Sequence, residues 1–194
     1  MTSTRTLLCA ATFIAITAAV TIAATQASDT GDFSKPTVHH DILDKLWGKW
    51  DYMLTIESDD GETESLVLEA DYRWALGGRF LVGGFDGYID GGLFKAREIL
   101  GYDSFRGEYR SVWVDNNTTA FTMATGEYTA RTRTLTFKGV QDNVERDVRD
   151  EPFTFVYRFV DKDHFQIEVW RPNPAGKMVK GTTVSATRKG AQND

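Results

Sequence analysis

Short runs that alternate apolar with polar residues dominate the sequence after Gly48 and predict a chain built almost wholly of β-strands. The clearest run places Phe153, Phe155, Tyr157 and Phe159 on one face of a strand. No later segment keeps the period of an amphipathic helix. We therefore predict ten strands, over residues 49–57, 64–76, 79–89, 93–103, 108–114, 119–128, 134–140, 153–161, 164–171 and 178–188.

Tight turn signals between these runs predict an antiparallel meander. Asp59-Asp60-Gly61, Gly77-Gly78 and Asp90-Gly91-Gly92 are typical of such turns. A meander leaves two exposed edges, and closure into a barrel removes them. The composition does not change between Lys49 and Arg188, so one all-β domain over residues 37–194 is predicted. The charged segment 141–151 is expected to form a mobile loop.

An outer-membrane barrel is the alternative for an exported chain of strands. Its strands would alternate a lipid-facing apolar side with a polar interior. Here charged residues occur in both parities of a strand, as in Lys95, Arg97 and Glu98. This pattern leaves no continuous lipid-facing band and favours a barrel that does not insert into a membrane.

The first 27 residues have the features of a secretory signal peptide. Arg5 precedes an apolar stretch over residues 7–24, and small residues lead to a predicted cut after Ala27. Cleavage after Ala24, or retention as an anchor helix, are the alternatives. Residues 28–36 form a polar linker. We expect export to the periplasm or secretion from a bacterium.

Removal of this leader also removes Cys9, the only cysteine. Thiol catalysis, thiolate metal sites and iron–sulfur clusters are then excluded for the processed chain. The net charge changes from −6 to −7, because Arg5 is lost and residues 1–27 contain no acid. An acidic chain is a poor match for nucleic acid or an anionic membrane surface.

A short helix over residues 38–47 is predicted before the first strand, with Thr37 as its cap. It carries two of the three histidines, His39 and His40. A metal site combining His40 with His164, or haem ligation by the same histidines, would be the functional interpretation. We prefer capping and turn roles, and predict no metal and no cofactor.

Gly48-x-Trp50 after a short helix resembles the start of the lipocalin-type barrels of the calycin superfamily. Further blocks extend the match at residues 73–81, 99–103, 109–115, 126–128 followed by 134–139, and 161–165. Together they resemble the bacterial family called domain of unknown function 1579, over roughly residues 38–189. The resemblance implies a lipocalin-like barrel in which Trp50 plugs the closed end and Arg188 covers it. It implies no activity.

A barrel of this size can enclose a small ligand. We hypothesise an aromatic cavity with a few charges, in which Arg79 would pair with a carboxylate. A one-residue slip of register exchanges the two faces of a strand, so the sequence leaves inward orientation open. The predicted ligand-binding residues are Arg79, Tyr102, Trp113, Asp115, Glu168 and Trp170.

Three functions fit this sequence. The first is a non-catalytic barrel in the cell envelope that binds a small apolar or amphipathic molecule. The second is a hydrolase of a small or sugar-like substrate that uses a carboxylate pair such as Asp115 and Glu168. The third is a module that binds another envelope protein through its outer surface.

Overall fold

A computed structural model describes residues 32–57, 61–89, 91–144 and 146–190. The predicted signal peptide, with Cys9, and the start of the linker lie outside the described residues. The elements are α1 (His40–Asp44), β1 (Gly48–Glu57), β2 (Thr63–Ala75), β3 (Phe80–Ile89), β4 (Gly92–Asp103), β5 (Glu108–Asp115), β6 (Thr122–Thr129), β7 (Thr134–Asn143), β8 (Val148–Phe159), β9 (His164–Pro172) and β10 (Met178–Arg188).

The ten strands form one closed barrel in which each strand pairs with its neighbours in the chain. The ring closes where β1 pairs antiparallel with β10, from Trp50 opposite Arg188 to Ile56 opposite Thr182. Closure leaves no edge strand unpaired, which is the reason the sequence pattern favoured a barrel. The all-β fold with one short N-terminal helix is thus confirmed.

Alternation along the strands separates inward-facing from outward-facing side chains. On β8, Phe153, Tyr157 and Phe159 are buried, whereas Arg158 between them faces outward. Large aromatic side chains fill the end of the barrel that adjoins α1. Trp50 contacts Phe165 there with a ring separation of 4.6 Å, in an edge-to-face arrangement. This packing closes one end of the barrel.

The helix is shorter than the sequence predicts. It spans five residues instead of ten, because the chain after Asp44 continues in tighter turns, with Trp47 N–H donating to Asp44 O at 3.0 Å. Leu43 in the helix and Leu46 just after it are fully buried. Gly48 then adopts φ +111°, a conformation that favours glycine, and turns the chain into β1.

The prediction of a mobile loop over residues 141–151 is wrong. β7 and β8 continue through most of it, with Gln141 opposite Glu151, and a short turn joins them. Two side chains of the hairpin contact the buried carboxylate of Glu151. Arg146 lies 3.0 Å from the buried Glu151 carboxylate, and Asn143 donates to the same carboxylate at 3.1 Å. The highly charged segment 141–151 therefore forms a hairpin that contains an ion pair.

Within the described ranges, no helix has the length and apolar character needed to cross a bilayer.

Candidate ligand cavity

The barrel interior is packed at the α1 end and hollow towards the opposite end. The hollow forms a cavity of about 480 Å³ that reaches the β5–β6 and β7–β8 turns, where Thr118 and Val144 contribute to its lining. Both residues are exposed, so these turns mark its mouth. A volume of this size lies in the range of small-molecule sites.

The walls of the cavity are mainly apolar and come from strands around the whole barrel. Phe85 of β3 and Trp113 of β5 form an aromatic pair, with ring centroids 4.9 Å apart. The apolar lining residues are Leu54, Ile56, Leu68, Phe85, Phe94, Trp113, Ala120, Val144, Phe155, Ile167, Val169 and Val184. Such walls favour the burial of an apolar ligand body.

One acidic side chain, Glu98 of β4, lines the cavity from deep inside the barrel. Its exposed fraction is 1%, yet both of its carboxylate oxygens accept hydrogen bonds. Ser111 donates to Oε1 at 3.0 Å, Tyr72 donates to Oε2 at 3.1 Å, and Tyr157 lies 3.0 Å from both oxygens. A buried carboxylate is tolerable only with such partners.

A second tyrosine extends this polar cluster. The hydroxyls of Tyr52 and Tyr72 are 3.1 Å apart. Because Tyr72 uses its proton on Glu98, Tyr52 donates to Tyr72. Burial raises the pKa values of Tyr52, Tyr72 and Tyr157 well above their ordinary range, so these hydroxyls stay protonated and remain donors.

Opposing effects act on the pKa of Glu98. Burial, the largest cause, raises it, whereas the hydrogen bonds from Tyr157, Ser111 and Tyr72 lower it. The net direction is upward. No lysine or arginine forms an ion pair with Glu98 in the part of the chain that the structure describes.

Two of the six residues predicted from sequence line this cavity. Trp113 and Asp115 are neighbours on the inward face of β5, and the Trp113 indole donates to Asp115 Oδ2 at 2.8 Å. The other oxygen of Asp115 accepts the backbone N–H of Asn117 at 2.9 Å, at the cavity mouth. Their role in ligand binding stays a prediction.

Arg79 and Tyr102 lie at the closed end of the barrel, away from the cavity lining. Arg79 Nε donates to the carbonyl of Ser34 at 2.6 Å and so ties the N-terminal segment to the β2–β3 turn. Tyr102 stacks on His39 with ring centroids 4.0 Å apart. The expected pairing of Arg79 with a cavity carboxylate does not form, because the turn places it at the wrong end.

Glu168 and Trp170 lie on the outer face of β9. The inward positions of this strand are taken by Phe165, Ile167 and Val169, so the alternate residues point outward. Trp170 donates to Glu168 at 3.3 Å, and Lys180 lies 3.9 Å from the same glutamate. The hypothesised carboxylate pair of Asp115 and Glu168 is therefore not assembled.

The barrel plug is present. The Arg188 guanidinium lies over the Trp50 ring, 4.1 Å from its centroid, and the Trp50 indole donates to Leu46 O at 2.7 Å. The two residues are also register partners across the closing strand pair. The plug lies at the α1 end, away from the cavity mouth.

The histidines take part in turn contacts. His40 Nδ1 accepts the backbone N–H of Thr37 at 3.0 Å, and burial lowers the pKa of His40. His164 Nδ1 lies 3.0 Å from an oxygen of Asp161, three residues earlier. Over the described ranges, no three His, Cys, Asp or Glu side chains come together as a metal site.

Sequence reasoning missed the polar cluster of Glu98, Tyr52, Tyr72 and Tyr157. A signal was present on β4, where Glu98 shares its parity with Phe94, Ala96 and Leu100 and alternates with Lys95 and Arg97. That alternation indicates an inward carboxylate. The three tyrosines come from β1, β2 and β8, and only the closed barrel brings them to Glu98.

Fold and cavity together define a lipocalin-like β-barrel with one plugged end and one open end. The family model described as "Protein of unknown function (DUF1579)" matches residues 35–188, and the chain belongs to this family. No curated protein matches the sequence.

Two solved structures share the fold. The M. tuberculosis protein Rv2717c is 12% identical, with a TM-score of 0.57, and the match covers 80% of this chain and 99% of that one. The S-type phycobiliprotein lyase CPES from Guillardia theta is 10% identical, with a TM-score of 0.55. The match covers 82% of this chain and 97% of the lyase. At such identities the likeness concerns the fold.

Proposed function

We propose that this protein is a non-catalytic barrel that binds one small, largely apolar molecule in the cell envelope. The observation that carries the proposal is the cavity of about 480 Å³, open at one end and walled by aromatic and aliphatic side chains. Transfer of an apolar ligand into such a cavity is favourable by about 25 cal/mol per Å² of apolar surface removed from water.

Two further observations support binding over the alternatives. The carboxylate pair required by the hydrolase hypothesis lies on opposite faces of the barrel wall, with Asp115 inside and Glu168 outside. One structural neighbour is named as a phycobiliprotein lyase, so a barrel of this shape occurs in a protein that handles another molecule. The cavity also separates this chain from barrels whose interior is filled throughout.

The envelope location is part of the proposal. Its support is the leader-like pattern over residues 1–27 and the lack of cysteine in residues 28–194. A processed chain beginning at Ser28 would carry no free thiol into an oxidising compartment.

Native mass spectrometry of the protein purified from its own cell envelope tests both parts. We expect a mass that corresponds to a chain starting at Ser28 and a co-purifying molecule that dissociates on activation. Val169→Trp fills the cavity from β9 and should abolish the adduct while the fold is retained. The control Val67→Trp, on the outer face of β2 where the valine is 64% exposed, should keep it.

The outcomes separate the hypotheses. An adduct that survives Val169→Trp but not Val67→Trp would contradict binding in the cavity and favour a surface site. An intact mass that includes residues 1–27 in the envelope fraction would contradict cleavage. A chain recovered only from the cytoplasm would contradict export.

A further inference from the structure

We infer that the deep end of the cavity recognises a positively charged amino group, so that the ligand is an amphipathic amine with its apolar body along the walls and its ammonium at Glu98. This inference rests on the proposed function and adds the chemistry of the ligand's polar end. The hydrogen-bonding capacity of the Glu98 carboxylate is the first observation that supports an amino group.

A carboxylate offers about four acceptor positions. Three hydroxyl protons reach Glu98, from Ser111, Tyr72 and Tyr157, and the Tyr157 proton is shared between both oxygens at 3.0 Å. The cluster therefore has one donor fewer than the carboxylate can accept. A ligand N–H group that approaches from the cavity would supply it.

The charge of the cavity points to a cation. A buried negative charge is normally balanced by a cation, yet the partners that reach Glu98 are neutral hydroxyls. The other charged lining residues, Asp115, Asp142 and Arg171, stand nearer the mouth, so the lining has three acids and one base. An ammonium group would be attracted inward, whereas a ligand carboxylate would meet Glu98 as a like charge.

The apolar walls determine the rest of the ligand. Around Glu98 the cavity is lined by Trp113, Phe85 and Phe155, which offer no charged partner. A polyamine, which carries charges along its length, would leave charge against these aromatic walls without hydrogen bonds. A single amino group on an apolar body fits both parts of the cavity.

Isothermal titration with three probes that differ only in their head group tests the inference: decylamine, decanol and decanoate. We expect decylamine to bind about ten- to a hundred-fold more tightly than decanol, the range of a hydrogen bond to a charged group. Decanoate should bind most weakly. Glu98→Gln should remove the preference for the amine and leave decanol binding almost unchanged.

Glu168→Gln is the matched control, because it makes the same change on the outer face of the barrel. It should retain the preference for the amine. If decanol binds wild-type protein and decylamine binds no more tightly, the inference is wrong and the proposed function stands. If the preference for the amine persists in Glu98→Gln, Glu98 is not the recognition group. If none of the three probes binds wild-type protein, the inference and the proposed function both fail.

A measurement on wild-type protein covers the case in which Glu98→Gln does not fold. The ammonium and a proton compete for the same carboxylate, so decylamine binding should release a proton where Glu98 titrates, and its affinity should rise with pH there. The tyrosines that face Glu98, from β1, β2 and β8, stay protonated in that range. Titrations in buffers of different ionisation enthalpy measure the number of protons released on binding. The inference is wrong if decylamine binding releases no proton, or if decanol binding releases as much as decylamine binding does.

Discussion

Arg188 shows how one side chain closes the end of a barrel. Its guanidinium stacks on Trp50 at 4.1 Å and donates to carbonyl oxygens of Lys162 at 3.0 Å and Lys45 at 3.3 Å, which come from the β8–β9 turn and the end of α1. Asp163 lies 3.4 Å away and adds an ion pair. The residue therefore joins the first and last strands to both turns that cover the plug.

At the residue scale we predict that Arg188→Ala lowers the free energy of unfolding by about 2 kcal/mol, since it removes a cation–π contact and several charged hydrogen bonds. For a domain of this size the melting temperature should fall by about 6 °C, measured by scanning calorimetry. Ligand binding should not change, because the plug lies at the end opposite the cavity mouth. The control is Arg131→Ala, at an exposed arginine of the β6–β7 turn; an equal loss in both variants would contradict the specific role of Arg188.

Glu98 is the other residue on which the molecule depends, and it shows why a polar side chain can lie in the interior of a barrel. Burial of an unpartnered carboxylate would cost several kcal/mol. Hydroxyls from β2, β5 and β8 offset this cost, and they form a pre-arranged polar floor beneath apolar walls. The same group that is costly for folding is then available to a ligand.

At the scale of single elements, the β7–β8 hairpin forms one side of the cavity mouth. Arg146 in its turn lies 3.0 Å from Glu151 and donates to the carbonyl of Pro172 at 2.9 Å, so it joins this hairpin to the end of β9. The Glu151 side chain is 1% exposed, whereas Arg146 is 38% exposed. The pair is thus buried on its acidic side and open on its basic side.

We predict that Arg146→Ala destabilises this hairpin, because it leaves the Glu151 carboxylate buried without a cation. Exposure of the arginine screens the pair, so the loss should be about 1–2 kcal/mol, below the range for a fully buried pair. Amide hydrogen exchange should accelerate over residues 141–151 and stay unchanged in β2. Arg149→Ala, at an exposed position of the same hairpin, is the control. If amide exchange over residues 141–151 is as slow in Arg146→Ala as in the wild-type protein, Arg146 does not stabilise the hairpin.

At the scale of the whole molecule, stability depends on the pairing of the first strand with the last. β1 and β10 are paired over seven register positions, and their contact converts a meander into a ring. Without β10, β1 and β9 would each present a row of unpaired backbone groups to other chains.

We therefore predict that a chain ending at residue 177, which lacks β10, does not form a folded monomer. It should appear as oligomers or aggregate in size-exclusion chromatography with light scattering. The backbone amides of β1 and β9 should lose their protection against hydrogen exchange. A chain ending at residue 190 keeps β10 and Arg188 and serves as the control; it should behave like the full chain. A folded monomer from the shorter chain would show that closure by β10 is dispensable.

The strands could be predicted from the sequence because their signals are local. Alternation over a few residues and turn residues such as Gly77-Gly78 identified all ten strands, with most boundaries within a few residues. The errors came where a local signal was ambiguous. High charge over residues 141–151 is compatible with a loop or with an ion-paired hairpin, and the difference depends on whether Glu151 finds Arg146.

The site was only partly predictable, because a site in a barrel joins residues far apart in the chain. Trp113 and Asp115 share one strand, and their common face could be inferred from parity. Tyr157 and Glu98 are 59 positions apart, and their contact follows from the curvature of the closed sheet. Glu168 carried the same charge as Glu98 but faces outward, because the apolar residues of β9 occupy its inward positions.

The sequence alone thus specifies an all-β chain, its turns and its family resemblance, since these features depend on interactions among near neighbours. The closed barrel determines which carboxylate is buried, which tyrosines surround that carboxylate, and which end of the barrel remains hollow. These features arise from long-range packing: a strand has two faces, and the interior side of each is fixed when all ten strands close around one core.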